Sequence, residues 1–189
     1  NPSLVIELDE NDKVINVIMN NDDAVIIIGD MNLIDVDYNV AVNAIIGSMV
    51  TRGYLDEFKN SVLLSIKSDD VIHEAMLMTD VTQTVYNYLN SSSISGSVIT
   101  QGLLEDEATK LLAERLNISE AKAELIYDIT LLDPRVTVEE LAMLSINDLN
   151  LFLESKNYII ENVGKVGKAS DLEYLSKVEA YQLALSEIN

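Results

Sequence analysis

Short apolar runs, broken by acidic and amide side chains, divide the first half of the chain into strand-sized and helix-sized pieces. LVIEL (4–8) and KVINVIM (13–19) are β-branched and partly alternate between apolar and polar positions. With the polar turn DENDK between them they predict an antiparallel hairpin. AVIII (24–28) is too short to be typed by its period, so a strand and a helical turn both fit. From Tyr38 the pattern becomes helical: Val42, Ile45, Ile46, Met49 and Val50 share one face. Asp35 or Asp37 can cap this helix, and Gly53 can end it in a left-handed conformation. SVLLSIK (61–67) is a strand whose unbroken apolar run predicts a central position. A second helix follows, capped by Ser68 or Asp69, and SGSVITQG (95–102) reads as the final strand. This order predicts an α+β fold, a small sheet packed with two helices.

After Gly102 strand signals give way to helical periodicity, and a small all-α bundle is expected. Its helices run from about Glu105 to Leu116, from the cap Ser119 to Leu132, from Thr137, and from the cap Ser145 through LNLFLES. Thr137 with Glu140 three residues on has the pattern of a capping box. The expected domains are 1–102, α+β, and 103–156, helical. Residues 157–171, with the glycines of NVGKVGKASD, are expected to be a linker. Residues 172–189 then form one further helix capped by Ser176. A lone amphipathic helix needs a partner, either the bundle or a further domain. No internal repeat is convincing.

Composition narrows the chemistry. At 48% hydrophobic the chain is not of a disordered type. A formal net charge of -20 repels phosphate backbones and anionic headgroups, so neither nucleic acid nor a lipid surface is an expected partner. There is no cysteine and one histidine, His73. This leaves no thiol nucleophile, no His-based triad and no zinc cluster. His73 reads as a surface or half-buried helix residue. There is no phosphate-cradling glycine loop. Asp9-Glu10-Asn11-Asp12 faintly suggests a calcium loop, but Lys13 stands at the fifth position and no glycine follows. A solvated turn is the better reading. With 32 acidic residues, chance carboxylate pairs are certain, and no tryptophan is present to stack on a sugar. No cofactor and no metal are expected. No apolar run is long enough to span a bilayer and no signal peptide opens the chain, so any anchor is expected outside these residues.

The Asn1-Pro2 pair carries a chemistry that needs no catalytic inventory. Proline lacks the N–H that drives ordinary asparagine deamidation. The remaining intramolecular route is attack of the Asn1 side-chain nitrogen on its own carbonyl carbon, which forms a succinimide, expels the proline nitrogen and cuts the chain. A fold can accelerate this by holding nitrogen near carbon. The competing reading is that Pro2 opens an edge strand, where its missing donor does no harm. On the dipeptide alone, the edge-strand reading is preferred.

Two stretches shift that balance. NPSLVIELDENDKVINVIMNND, followed by AVNAIIGSMVTRGYL and NSVLLSIKS, resembles the extracytoplasmic domain of RsgI-type anti-sigma factors. The matching positions are Asn1, Pro2, Ser3, Asn11, Val14, Ile15, Val17, Asn20, Gly53, Tyr54 and Leu55. The segment AVIIIGDMNLIDVD is more apolar than that pattern. ISEAKAELIYDITLLDPRVTVEELAMLSINDLNLFLE resembles the helical segment following that domain, and YLSKVEAYQLALSEIN is similar to the first helix of a PepSY-type domain.

The resemblance implies a single-pass membrane protein with this fold on the extracytoplasmic face. It implies self-cleavage at Asn1-Pro2: Asn1 supplies nucleophile and carbonyl, Pro2 the leaving nitrogen, and the halves stay associated. The implied partners are the protein's own membrane-proximal fragment, membrane proteases acting downstream, and a sigma-I-type factor bound through a cytoplasmic segment. Such a module turns over once and is no multiple-turnover enzyme. The alternatives are a surface-exposed binding or scaffold module in which Asn1-Pro2 is structural, and, least favoured, an acidic-residue hydrolase.

Overall fold

The computed structural model describes residues 1–104, 106–168, 170–173, 177, 180 and 184. The expected hairpin opens the fold as β1 (Leu4–Leu8) and β2 (Val14–Met19), paired antiparallel from Leu4↔Met19 to Leu8↔Val14. Asp9 shapes the turn: its Oδ1 accepts from the backbone nitrogens of Asn11 at 2.8 Å and Lys13 at 3.0 Å. Of the residues that suggested a calcium loop, Asp9 thus serves the turn's own N–H groups.

The undecided AVIII run is α1 (Asp22–Ile28). Asn21 caps it, its Oδ1 accepting from Ala24 N at 3.0 Å, and Asp22 and Asp23 fill its first turn. Gly29, at φ 49, ends it. A helix rather than a strand lets Ala24, Ile27 and Ile28 turn inward together while Val25 and Ile26 face solvent. Helix α2 (Tyr38–Thr51) follows. Asp37 stands at its N-cap without a side-chain cap bond, and Gly53 follows its end with φ 77, as expected. Val14, Ile27, Ile28, Leu33, Ala41 and Ile45 form the core here, with Leu4, Ile6, Leu8 and Val17 of the hairpin packed on it.

The single sheet expected is in fact two: the β1-β2 hairpin stands apart from a three-stranded sheet, β3-β4-β5. β3 (Ser61–Ile66) and β4 (Ser97–Gly102) are parallel, joined through α3 (Val71–Ser91). β5 (Val163–Val166) runs antiparallel to β4. Three expectations are corrected here. β3 is an edge strand and β4 is central. The apolar run of β3 reflects cover on both faces. Val62, Leu64 and Ile66 join the core beneath α2 and α3, whereas Leu63 meets the helical segment. β4 is not the final strand, because residues 163–166, expected within a linker, form β5. Their glycine is a packing requirement: a Cβ on Gly164 would lie 2.6 Å from Thr100 Oγ1. The α3 cap is Asp70, not Ser68 or Asp69, with Oδ1 accepting from Ile72 N at 2.9 Å.

The helical segment has the expected elements: α4 (Glu107–Leu116), α5 (Glu120–Leu132), α6 (Val138–Ala142) and α7 (Ile146–Lys156). Ser119, Thr137 and Ser145 cap the last three, and Thr137 with Glu140 closes a capping box. Asn117 and Asn157, both left-handed, end α4 and α7. Leu125, Ile126, Ile129, Leu141 and Leu149 are buried at its centre, with Leu63 and Val163 of the sheet against them. The sheet is therefore covered by α3 on one face and by α5 and α7 on the other, and Gly102 marks a change of element type rather than a gap in packing. The helix expected over 172–189, including its cap Ser176, falls mostly on residues outside those described.

Gly96 sets how closely β4 starts beside β3. A Cβ there would lie 2.6 Å from the Asn60 carbonyl oxygen and 2.9 Å from Leu89 Cδ1. That same carbonyl accepts from Ser97 N at 2.9 Å, at the start of the parallel pairing. Gly96→Ala is expected to destabilise the fold by about 1–3 kcal/mol, because backbone rather than a flexible side chain must yield. Urea unfolding reads this as a lower midpoint at unchanged slope.

Candidate functional site

Asn1, Pro2 and Ser3 lead directly into β1, and the hairpin register brings them beside the turn where β2 runs into α1. Ser3 O accepts from Asn20 N at 2.9 Å, extending the ladder by one pair. Asn20 Nδ2 also donates to Ser3 Oγ at 3.1 Å. One residue on, Asn21 Nδ2 donates to the carbonyl oxygen of Asn1 at 2.7 Å. That is the carbonyl of the Asn1-Pro2 bond. Asn21 Oδ1 accepts from Ala24 N and, at 3.2 Å, from Ser3 N.

The nitrogen side of Asn1 is held as well. It donates to Asp23 Oδ2 at 2.9 Å, and Tyr54 OH donates to Asp23 Oδ1 at 3.0 Å. The bond to Asp23 raises the Tyr54 phenol. Three segments distant in sequence thus share one hydrogen-bond network: Asn1-Pro2-Ser3, Asn20 to Asp23, and Tyr54 after α2. Of the positions that carried the resemblance, Ser3, Asn20 and Tyr54 join this network. Leu55 is buried in the core below α2 and α3, and Asn11 lies at the far end of the hairpin.

Asn21 and Asp23 were not singled out from sequence. Asn-Asp-Asp before an apolar run is a helix-start signature, and it marks Asn21 as a cap. No local pattern, however, shows that its other side-chain atom reaches back to Asn1.

A second polar cluster joins the hairpin turn to α3. His73 Nε2 and Asp12 Oδ1 are 2.8 Å apart, and Tyr38 OH donates to Asp80. Desolvation, then Asp80, raises the Tyr38 phenol. His73 is half-buried, as its helix position suggested. Among the described residues no group of three or more His, Cys, Asp or Glu is placed to hold a metal ion, and no helix is long and apolar enough to cross a membrane.

Comparison with known proteins bears on the whole arrangement. Residues 1–128 match the family model described as the anti-sigma factor RsgI-like central domain, a span running from Asn1 through most of α5. The chain is also 25% identical over 150 residues to the anti-sigma-I factor RsgI7 of Acetivibrio thermocellus. That alignment covers 79% of this chain and 27% of the relative, so the chain spans about a quarter of that protein's length. The matched span takes in the hairpin, α1, Tyr54 and the Asn1-Pro2 bond itself, and this chain belongs to the RsgI-like anti-sigma factor central-domain family.

Proposed function

We propose that this chain is the extracytoplasmic region of a membrane-anchored anti-sigma factor that signals to a sigma-I-type factor through self-cleavage at Asn1-Pro2. The observation that carries the reading is the convergence of Ser3, Asn20 and Tyr54, positions of the family resemblance, on the network around Asn1-Pro2, where Asn21 Nδ2 donates to the carbonyl oxygen of that bond. Such convergence is more than an edge strand needs in order to begin with proline.

In this reading the Asn1 side-chain nitrogen adds to the Asn1 carbonyl carbon. A C–N bond forms within the new succinimide ring, and the bond to Pro2 N breaks. The nitrogen that attacks gives up one proton, and the proline nitrogen leaves with one, so no water is consumed in the scission. The cut is made once per molecule, and the fragments stay associated non-covalently, as the family resemblance implies. Residues 1–102 serve as the cleaving unit and 103–156 as the helical unit backed onto its sheet. Separation of the fragments exposes the membrane-proximal piece to proteases, which frees the sigma factor. The anchor and the sigma-binding segment belong to residues outside this chain.

The test is intact-mass analysis of the chain with a carrier domain fused ahead of Asn1, beside the same protein with Asn1→Ala. The expected result is two co-purifying fragments for the parent, the second starting at Pro2, and a single chain for the variant. If both stay whole after long incubation, Asn1-Pro2 is an ordinary strand opening and the scaffold reading takes its place.

A further inference from the structure

We infer that Asn21 is a catalytic residue for scission at Asn1-Pro2, its side-chain N–H donating to the oxygen that gains charge as the Asn1 carbonyl is attacked. The inference rests on the self-cleavage reading above and adds to it a specific group and role.

Geometry comes first. Asn21 Nδ2 lies 2.7 Å from Asn1 O, a short contact for an amide donor. The orientation of the amide is settled by its other end. Asn21 Oδ1 accepts from two backbone N–H groups, those of Ala24 and Ser3. Turning the amide over would lose both bonds and set oxygen against oxygen at Asn1. The donor is thus aimed before any reaction begins, from a residue fixed between the last residues of β2 and the first turn of α1.

The chemistry follows from that aim. A neutral carbonyl oxygen accepts a modest hydrogen bond. As the Asn1 nitrogen adds to the carbon, the C=O π pair moves onto this oxygen, and the same donor then faces an oxyanion. Hydrogen bonds to charged acceptors are roughly twice as strong as neutral ones. The contact therefore favours the transition state over the ground state, which is the condition for acceleration. Asp23 complements it as a positioning residue. Its carboxylate lies within hydrogen-bond reach of the Asn1 nitrogen and is itself braced by the Tyr54 hydroxyl.

A cap and a catalytic donor use different atoms of Asn21, and this makes the roles separable. Asn21→Asp keeps an oxygen able to cap α1, and Asn21→Gly leaves a residue that is well tolerated at the cap position. Neither side chain can donate to the Asn1 oxygen. The glycine variant controls for the repulsion that an aspartate would exert on an oxyanion.

The experiment follows the rate of appearance of the fragment starting at Pro2, by intact mass. It uses the carrier-fused chain and both variants, with unfolding midpoints measured alongside. The expected result is cleavage slowed about 10²–10³-fold in both variants, the scale seen when one oxyanion donor is removed, at near-parental stability. Parental rates in both variants would overturn the role of Asn21 while leaving self-cleavage intact. Slow cleavage in the aspartate variant alone would overturn it too, since repulsion then explains the loss. A parent that never cleaves removes the self-cleavage reading and this role with it.

Discussion

Leu125→Ala is expected to lower the stability of the whole chain by about 2–5 kcal/mol, the range for emptying a fully buried leucine site. Leu125 is 0% exposed, in the middle of α5, among Ile126, Ile129, Leu141 and Leu149. The more telling part of the expectation is cooperativity. Leu63 of β3 and Val163 of β5 pack against this same cluster. Gln101 of β4 reinforces the seam: with its amide nitrogen toward α5 it donates to Ala121 O at 2.9 Å, and its oxygen accepts from Leu125 N at 3.2 Å. Asn147 of α7 reaches across as well, donating to Phe58 O at 3.2 Å. Urea unfolding followed by far-ultraviolet circular dichroism and by tyrosine fluorescence should therefore shift as one transition in both probes. Two separated transitions, with only the helical one moved by the substitution, would mean that residues 103–156 fold as an independent unit despite these contacts.

This coupling explains what could and could not be read from the chain. The caps at Ser119, Thr137 and Ser145 and the glycine stop at Gly53 are local chemistry, decided within one turn, and they stand where the pattern put them. β3 misled because an unbroken apolar run reports cover on two faces, not a place in the strand order. Here the second cover comes from helices far along the chain. β5 was invisible for the same reason. VGKV has little strand character of its own, and it is a strand because β4 supplies a ladder and Gly164 leaves room for Thr100. The site divides in the same way. The proposed scission chemistry at Asn1-Pro2 is open to consideration from two residues alone, though those two residues by themselves favour a plain strand opening. Asn21 and Asp23 became site residues only when the register of β1 on β2 carried them alongside Asn1, and register is a product of the whole hairpin.

Pro2→Gly is expected to change the product at Asn1 rather than merely slow the reaction. Proline does two things in the proposed scission. It denies the backbone nitrogen a hydrogen, which closes the deamidation route, and it supplies the nitrogen that leaves. Glycine restores the N–H. The backbone nitrogen of residue 2 can then attack the Asn1 side-chain carbonyl carbon, forming a succinimide with the chain intact and releasing ammonia from the side chain. Glycine is also the least hindered residue for that approach. The clamp on Asn1 does not distinguish the two routes at the level of its contacts: Asn21 still reaches the main-chain oxygen and Asp23 the main-chain nitrogen. What changes is which nitrogen is free to attack and which bond is then broken. Intact mass of the carrier-fused protein should show uncut chain that has exchanged an amide for an acid at residue 1, with tryptic peptides locating the change. A variant still cut before residue 2 at the parental rate would mean that proline is not what directs the reaction, and that the geometry around Asn1 alone selects scission.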